Sequence, residues 1–307
     1  MLRSGVVPLG RAANFSHAGW TSVLARLPWL AYRAWRYFAQ VDRFAPDLAV
    51  VIDSPGLHGP LVDRLRARGI AVAWVAPPQL WAWKSRSGRR LQGLPVYPAH
   101  HFEVAPLEKT GANAFWWGFP GVRPVPAQLR PEATVLALLP GSRPAWRRRH
   151  RELFARAATL ARLPLKTVLV HPEHSGTENG LACGRPEEVL PKAALALCLP
   201  GTATLETALW AVPTVVAARP GRLDGLLAQR YLSDGFRALP NRILERGVFP
   251  EIYGSEASAE VLARALVDLF ARRGRVVADL ADLAGRLGDP SAADRIAAHI
   301  LETSRQP

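Results

Sequence analysis

Residues 135–143 read Val-Leu-Ala-Leu-Leu-Pro-Gly-Ser-Arg, an apolar run that stops at a Pro-Gly pair. Such a run is typical of a strand buried on both faces of a parallel sheet. The strand would deliver the hydroxyl of Ser142 and the guanidinium of Arg143 at its carboxyl end, where ligands bind in open α/β sheets. A small turn residue lets backbone N–H groups approach a phosphate, and an arginine can clamp a diphosphate. An ordinary strand-to-helix turn with a solvated arginine fits this stretch equally well.

A second stretch of similar design lies further along the chain, at residues 193–217. It predicts a strand, a loop containing Gly201, a short helix and another strand. Gly201 allows close approach of the backbone, Thr202 or Thr204 can cap the helix, and the helix N-terminus offers N–H groups to an anion. Glu206 either complements the helix dipole or accepts hydrogen bonds from a ribose or sugar hydroxyl. Two such loops in one half of the chain predict a nucleotide-diphosphate site.

The chain also alternates predicted strands and helices, which is typical of parallel sheets joined by right-handed crossovers. The predicted strands are 48–52, 70–75, 94–97 and 115–118 in a first domain, and 134–139, 165–170, 195–199 and 214–218 in a second, with an early helix at 61–68. We expect domains at residues 1–122 and 127–290, and a final helix at 291–307 that packs back on the first domain. The predicted fold class is α/β, with two Rossmann-like domains whose parallel sheets face each other across a cleft.

Composition agrees with a globular protein of this kind. The chain has 307 residues, of which 49% are hydrophobic and 21% charged, so each of two domains can bury its own core. Its two cysteines, Cys183 and Cys198, form neither a disulfide framework nor a zinc-binding spacing, which favours a reducing cytoplasm. The sequence predicts no signal peptide and no membrane-spanning segment.

The net charge of +14 indicates an anionic partner, which could be nucleic acid, a membrane or a phosphorylated substrate. The sequence matches no nucleic-acid motif, so we expect no nucleic-acid partner. Residues 20–44 instead combine Trp, Tyr and Arg as interfacial helices do. We expect one face of this helix to pack on the sheet and its aromatic–arginine rim to dock on an anionic membrane surface.

Five segments together resemble the lipid-A-disaccharide synthase family. They are residues 136–143, residues 201–206 (Gly-Thr-Ala-Thr-Leu-Glu), Val-Ile-Asp-Ser-Pro at 51–55, residues 75–84 with Trp-Ala-Trp-Lys at 81–84, and Leu-Pro-Asn at 239–241. The Trp-Ala-Trp run is the most specific of them. The resemblance covers roughly residues 1–270 in patches, and it implies a GT-B-like fold, with an acceptor- and membrane-facing first domain and a nucleotide-sugar donor second domain.

The resemblance implies an inverting glycosyl transfer. A diacylated glucosamine would pass from its UDP conjugate to the 6-hydroxyl of a diacylated glucosamine 1-phosphate, with release of UDP. Asp53, at a strand's carboxyl end, would be the catalytic base, although an N-cap or Asx-turn role before Pro55 is the alternative. The donor site would comprise Ser142, Arg143, Gly201, Thr202, Thr204, Glu206 and Asn241. We expect no metal, no cofactor, and a cytoplasmic protein peripheral to the inner face of the membrane.

Departures from the family keep other functions open. The family's first strand and Gly-rich loop have no counterpart, through a late start or true loss, so a sheet edge should be exposed. Gly56, Leu57 and His58 replace the family's Asp, Phe and Asn, and the second domain looks short by one strand–helix unit between Arg151 and Ala193. Pro172 lies between His171 and His174, which argues against a helix that presents both histidines as metal ligands. A divergent GT-B transferase, an epimerase acting on another UDP-sugar, and a non-catalytic membrane-associated paralogue remain alternatives. The sequence leaves acyl-chain specificity and oligomeric state open.

Overall fold

A computed structural model describes residues 27–82, 87–120, 132–231 and 235–304. The chain divides into two compact units. The first unit comprises Met1–Pro120, Arg230–Ser233 and Ser291–Pro307, and the second comprises Gly121–Gln229 and Asp234–Pro290. Each unit holds a sheet with helices, which confirms the predicted α/β class. The segment between the two expected domains, residues 122–127, lies outside the described residues.

The first unit contains a four-stranded sheet in the order β1-β2-β3-β4, parallel throughout. Its strands are β1 (Leu48–Ile52), β2 (Ala71–Val75), β3 (Pro95–Tyr97) and β4 (Asn113–Ala114). The helices before the second unit are Leu27–Phe44, Pro55–Arg66 and Val104–Glu108. Within the described residues β1 pairs with β2 only, so its other edge has no strand partner there, in line with the expected open edge. The side chains of Val50 and Ile52, on one face of this strand, are exposed.

Two predicted elements of this unit are corrected. The helix predicted at 61–68 begins earlier, at Pro55, because a proline in the first turn loses no helical hydrogen bond. The strand predicted at 115–118 is wrong, since the paired strand is Asn113–Ala114. The Phe115 N–H still donates to the Val96 carbonyl at 2.9 Å, and the rings of Phe115 and Trp117 then lie about 6 Å from the Tyr97 ring. Aromatic residues are common in strands, which is why residues 115–118 predicted one. Here the aromatic rings pack against one another instead.

The final helix of the described chain, Ala292–Ser304, packs on the first unit. Its Ile296 and Ile300 share a buried cluster with Ala73 and Tyr97. The Tyr97 hydroxyl also lies 2.8 Å from Nδ1 of His299. The helix therefore contributes to the core of a sheet from which it is distant in sequence.

The second unit contains a seven-stranded sheet in the order β11-β10-β9-β5-β6-β8-β7. Its strands are β5 (Val135–Leu139), β6 (Lys166–Val170), β7 (Gly176–Glu178), β8 (Leu181–Gly184), β9 (Ala193–Cys198), β10 (Thr214–Ala218) and β11 (Glu251–Tyr253). All neighbours are parallel except β7 and β8. The helices are Pro144–Ala161, Pro186–Val189, Thr202–Leu209, Arg222–Tyr231, Leu239–Leu244, Ala259–Ala271, Arg273–Leu280 and Leu283–Arg286.

The segment between Arg151 and Ala193, where we expected one strand–helix unit to be missing, contains strands but no long crossover helix between β6 and β8. β8 pairs parallel with β6, and the connection between them holds the short antiparallel strand β7. Asn179 and Gly180 turn the β7–β8 hairpin with positive φ angles of 48° and 79°. Asn-Gly favours this geometry in two-residue hairpin turns. A hairpin thus occupies the place where a crossover helix is usual.

Candidate functional site

The two loops singled out from the sequence lie side by side in the second unit. β5 and β9 are neighbouring parallel strands, so their carboxyl ends meet at one edge of the sheet. Beyond the paired residues, the Leu199 N–H still donates to the Leu139 carbonyl at 3.0 Å. The turn after β5 and the loop after β9 are therefore held together by the backbone itself.

Gly141 sets how closely the two loops approach. Its φ angle of 97° disfavours any residue with a side chain, and an added Cβ would lie 2.7 Å from Cδ1 of Leu199. Leu199 is itself buried at the end of β9. The glycine is required here by both backbone conformation and space.

Arg143 occupies the N-cap position of the helix Pro144–Ala161. Both Arg143 and Ser142 are exposed, and the Arg143 guanidinium makes no ion pair with the described residues. Pro144 has no N–H, and the next backbone N–H groups of this long helix have no acceptor one turn earlier in it; helix N-termini attract anions. Among the described residues, no ion pair has to be broken before the Arg143 side chain can contact a ligand.

The glycine loop differs from the sequence expectation in its cap. Gly201 is itself the N-cap residue, with φ 140°, and neither threonine caps the helix Thr202–Leu209 from outside. Thr202 is the exposed first helical residue, whereas Thr204 is fully buried. The Thr204 hydroxyl donates to the Gly201 carbonyl at 2.7 Å and accepts from the Leu239 N–H at 3.3 Å. Thr204 thus ties the glycine loop to the Leu-Pro-Asn segment.

Glu206 is half-buried in the same helix, and its carboxylate makes no hydrogen bond or ion pair within the described parts of the chain. Burial, with a smaller contribution from the negative charge of Glu187, raises the pKa of the Glu206 carboxyl. A half-buried carboxylate without an internal partner is the kind of acceptor that a ligand hydroxyl can satisfy.

Asn241 was predicted for the donor site, and the structure places it in the interior of the second unit. Its side chain is fully buried in the helix Leu239–Leu244. The Asn241 amide donates to the Phe249 carbonyl and to Glu251, and its oxygen accepts from the Phe249 N–H, each at 2.7 Å. These contacts occupy the amide internally and fix the loop, so a direct contact between Asn241 and a ligand stays a prediction.

Glu251, which the sequence analysis missed, is the centre of this arrangement. Its two oxygens accept from the backbone N–H groups of Arg237 and Ala238, from Asn241, and from the Tyr253 hydroxyl. An acidic residue opening a short strand after Val-Phe-Pro was the available signal. The carboxylate fixes the segment that leads into the Leu-Pro-Asn motif.

His150 is a second structural residue that the sequence did not reveal. Its side chain is fully buried, with Nδ1 3.0 Å from the Trp146 carbonyl and Nε2 accepting from the Arg219 N–H at 2.9 Å. Because a carbonyl only accepts, these partners assign the ring hydrogen to Nδ1. Burial lowers the pKa of His150 and keeps the ring neutral. The histidine joins the loop after β10 to the helix that begins at the Pro-Gly turn.

Asp53 lies at the carboxyl edge of the first unit's sheet, just after β1. Ser54 is the N-cap of the next helix, so Asp53 does not have the N-cap role considered from the sequence. Its carboxylate is exposed and makes no hydrogen bond with the described residues. Asp53 and Ser54 both have a φ angle of 51°, and the His58 Nδ1 lies 2.8 Å from the Asp53 carbonyl.

Trp81 and Ala82 of the Trp-Ala-Trp motif follow β2 in the same unit, and Trp83 and Lys84 lie outside the described residues. The Trp81 indole donates to Glu103 Oε1 at 2.7 Å, and Glu103 Oε2 accepts from the His100 N–H at 3.0 Å. The buried His100 ring stacks between Phe102 and Phe119, and burial lowers its pKa to about 4. Glu103, also missed from the sequence, fixes the motif's first tryptophan.

His171, His174 and Glu178 bring their ligand atoms within 4.8 Å of one another. However, Arg147 Nη1 already contacts His171 Nε2 at 2.5 Å, and Arg151 pairs with Glu178 at 2.9 Å. Backbone N–H groups fill the other ring nitrogen of His171. A cation here would face two guanidinium groups, so we assign no metal to this cluster.

The helix Leu27–Phe44 has two different faces. Tyr37, Phe38 and Val41 pack against the core of the first unit. The side chains of Trp29, Tyr32 and Trp35 are exposed, with the Arg33 guanidinium 4.5 Å from the Trp29 ring. Among the described helices, none is long and apolar enough to cross a membrane.

Two units, each with helices around a largely parallel sheet, have the GT-B fold, which solved glycosyltransferases and sugar epimerases share. Two solved structures share the fold. A putative UDP-N-acetylglucosamine 2-epimerase from Listeria monocytogenes has a TM-score of 0.59 at 15% identity, over 89% of this chain and 78% of that one. UGT89C1 of Arabidopsis thaliana has a TM-score of 0.59 at 14% identity, over 96% and 83%.

Sequence comparison identifies the family. The model of the lipid-A-disaccharide synthetase family matches residues 1–109 and 125–281. A lipid-A-disaccharide synthase from Anaeromyxobacter dehalogenans is 30% identical over 343 residues, covering 98% of this chain and 87% of that protein. The chain belongs to the lipid-A-disaccharide synthetase family and is a glycosyltransferase of lipid A biosynthesis.

Proposed function

We propose that this chain transfers a diacylated glucosamine from its UDP conjugate to the 6-hydroxyl of a diacylated glucosamine 1-phosphate, with release of UDP. The main support for the proposal is the geometry at the carboxyl edge of the second unit's sheet. There an arginine with no ion pair to the described residues, a helix N-terminus and a glycine loop lie side by side, and Gly141 is required for their approach. This arrangement suits a diphosphate that must be bound and then released.

The donor's diphosphate would lie at this edge of the second unit. Arg143 would bind two phosphate oxygens, Ser142 would donate its hydroxyl, and the N–H groups after Gly201 and Thr202 would face the same anion. As the bond to the sugar breaks, negative charge accumulates on UDP. Fixed donors stabilise that charge without reorganising, which lowers the barrier to transfer.

Glu206 would accept hydrogen bonds from hydroxyls of the UDP-sugar. Because burial and Glu187 raise its carboxyl pKa, protonation begins at a less acidic pH than for an ordinary glutamate. A protonated carboxyl is a poorer acceptor, so the affinity for UDP should fall on acidification through that pKa. The variant Glu206→Gln should bind UDP more weakly at neutral pH and lose this pH step. Titration of UDP by calorimetry across pH measures both effects, and an unchanged pH step in the variant would refute the assignment.

Asp53 would be the catalytic base. Its exposed carboxylate has no internal partner among the described residues and can accept the proton of the acceptor's 6-hydroxyl. Inversion at the sugar carbon requires only this base and a stabilised leaving group. No step of this reaction draws on a metal ion.

We propose that the helix Leu27–Phe44 docks the protein on an anionic lipid surface, where acylated donor and acceptor reside. Aromatic rings and arginines on one exposed face, with apolar residues packed on the other, support this orientation. Arg33 over Trp29, and Arg36 at 5.9 Å from the Tyr32 ring, would sit at headgroup level. The net charge of +14 would also attract the protein to an anionic surface.

The deciding experiment measures UDP release from UDP-diacylglucosamine with and without the monosaccharide 1-phosphate acceptor. Release that depends on the acceptor supports the proposal, whereas equal release without acceptor indicates hydrolysis of the donor instead. Asp53→Asn should lower the rate by about 100- to 10,000-fold and leave UDP binding unchanged. Asp47→Asn is the matched control, because Asp47 is exposed just before the amino end of the same strand. If Asp53→Asn retains most activity, another group is the base.

A further inference from the structure

Two consecutive residues after β1 adopt a backbone conformation that side chains disfavour. Asp53 and Ser54 both have φ angles of 51°, in the left-handed region. Aspartate tolerates this region better than most residues, but a pair in sequence is unusual outside glycine-containing turns. Such a conformation persists only where surrounding contacts hold it, and it collects at functional sites.

The contacts around these two residues are identifiable. The Asp53 N–H donates to the Val75 carbonyl at 3.0 Å, and the Ser54 carbonyl accepts from the N–H groups of Leu57 and His58. The remaining backbone acceptor, the Asp53 carbonyl, lies 2.8 Å from His58 Nδ1. His58 is therefore the side chain that closes the turn.

We propose that His58 is a positioning residue for Asp53, an inference that rests on the proposed role of Asp53 as the base. Because a carbonyl only accepts, Nδ1 carries the ring hydrogen and donates it to the Asp53 oxygen. This hydrogen bond fixes the peptide group between Asp53 and Ser54. The orientation of that group determines the direction in which the Asp53 carboxylate leaves the backbone.

The geometry also distinguishes positioning from direct catalysis. The imidazole contacts the main-chain oxygen of Asp53 and not its carboxylate, so the two side chains do not form a proton-relay pair. Without the hydrogen bond, Asp53 is free to relax towards extended backbone, and its carboxylate turns away from the acceptor hydroxyl. The rate of transfer falls in consequence, while donor binding in the second unit is unaffected.

Three substitutions at His58 test this assignment. In His58→Asn the amide nitrogen occupies about the place of Nδ1, whereas in His58→Gln it reaches about the place of Nε2. We expect His58→Ala and His58→Gln to lower kcat by about tenfold with the donor KM unchanged, and His58→Asn to restore kcat to within about threefold of the wild type. Restoration by Gln but not Asn would overturn the proposal, as would equal losses in all three variants or no loss in any.

A double variant tests whether His58 acts through Asp53. In an Asp53→Asn background, His58→Ala should lower the residual rate no further, because the carboxylate that it positions is gone. An additional tenfold loss in that background would show that His58 acts independently and would overturn the proposal.

The ring tautomer gives a readout that needs no substrate. Nitrogen-15 NMR of the wild-type chain should show the His58 hydrogen on Nδ1 when the ring is neutral. A hydrogen on Nε2 would overturn the positioning inference whatever the substrate is. A wild-type chain that shows the Nδ1 tautomer but transfers no diacylglucosamine would refute the proposed function and leave the turn geometry standing.

Discussion

The close approach of the turn after β5 and the loop after β9 predicts that Gly141→Ala lowers the free energy of unfolding. The methyl group would be placed on a residue with φ 97° and 2.7 Å from Cδ1 of Leu199. Gly180→Ala is a matched control, because Gly180 has φ 79° but no heavy atom within 4 Å of the added Cβ. The two variants share the backbone penalty, and only the first also meets a neighbouring side chain.

The expected loss of unfolding free energy is the sum of the backbone penalty and the penalty for the clash with Leu199. A side chain in the left-handed region costs about 1–2 kcal/mol, so Gly180→Ala should lower the free energy of unfolding by that amount. Overpacking adds about 1–3 kcal/mol, which gives about 2–5 kcal/mol for Gly141→Ala. Since the clash moves the turn that carries Ser142 and Arg143, the Kd for UDP should rise about tenfold, or about 1.4 kcal/mol. UDP affinity should be unchanged in Gly180→Ala.

Urea unfolding followed by fluorescence and circular dichroism measures stability, and calorimetry measures UDP affinity. Leu199→Ala removes the clashing methyl group, so in that background Gly141→Ala should cost no more than Gly180→Ala does. The reasoning is refuted if Gly141→Ala and Gly180→Ala destabilise equally, or if the cost of Gly141→Ala persists after Leu199 is shortened.

Three further outcomes are expected. Arg143→Ala should weaken UDP binding by about 1.5–3 kcal/mol in calorimetry, and Arg148→Ala, an exposed arginine of the same helix, should leave it unchanged. Asn241→Ala should lower the free energy of unfolding by about 2–4 kcal/mol in urea titration, because it strands the buried Phe249 N–H. Trp35→Ser should reduce pelleting with anionic vesicles about tenfold, whereas Leu301→Ser, exposed on another helix, should not. If neither Trp35→Ser nor added salt reduces binding to the vesicles, the proposed docking of this helix on an anionic lipid surface is contradicted.

The second unit's strands were predictable because their apolar runs are long and end abruptly. β5, β6, β9 and β10 lie within one or two residues of their predicted bounds. Their order in the sheet was not predicted, because right-handed crossovers fix the handedness of each connection and leave open which strands are neighbours. The β7–β8 hairpin was not predicted, because strands of three and four residues are too short to show the periodicity of either element.

The internal hydrogen bonds of the site were beyond sequence reasoning. Thr204, Asn241 and Glu251 are polar residues in or beside motifs, and a motif does not distinguish a side chain that touches a ligand from one that holds a loop. Burial makes that distinction, and burial depends on contacts between segments distant in sequence. The contact between Thr204 and Leu239 is one example.

This distinction divides the donor motifs into two sets with different consequences. Thr204 and Asn241 are fully buried, and their polar atoms are occupied by backbone groups and Glu251. Ser142, Arg143 and Thr202 are exposed and remain available to a ligand. Substitution in the buried set should lower stability and UDP affinity together, because the loops move. Substitution in the exposed set should lower affinity alone, since only the contact with the ligand is lost. A plot of UDP affinity against unfolding free energy for both sets therefore separates residues that bind the nucleotide from residues that build its site.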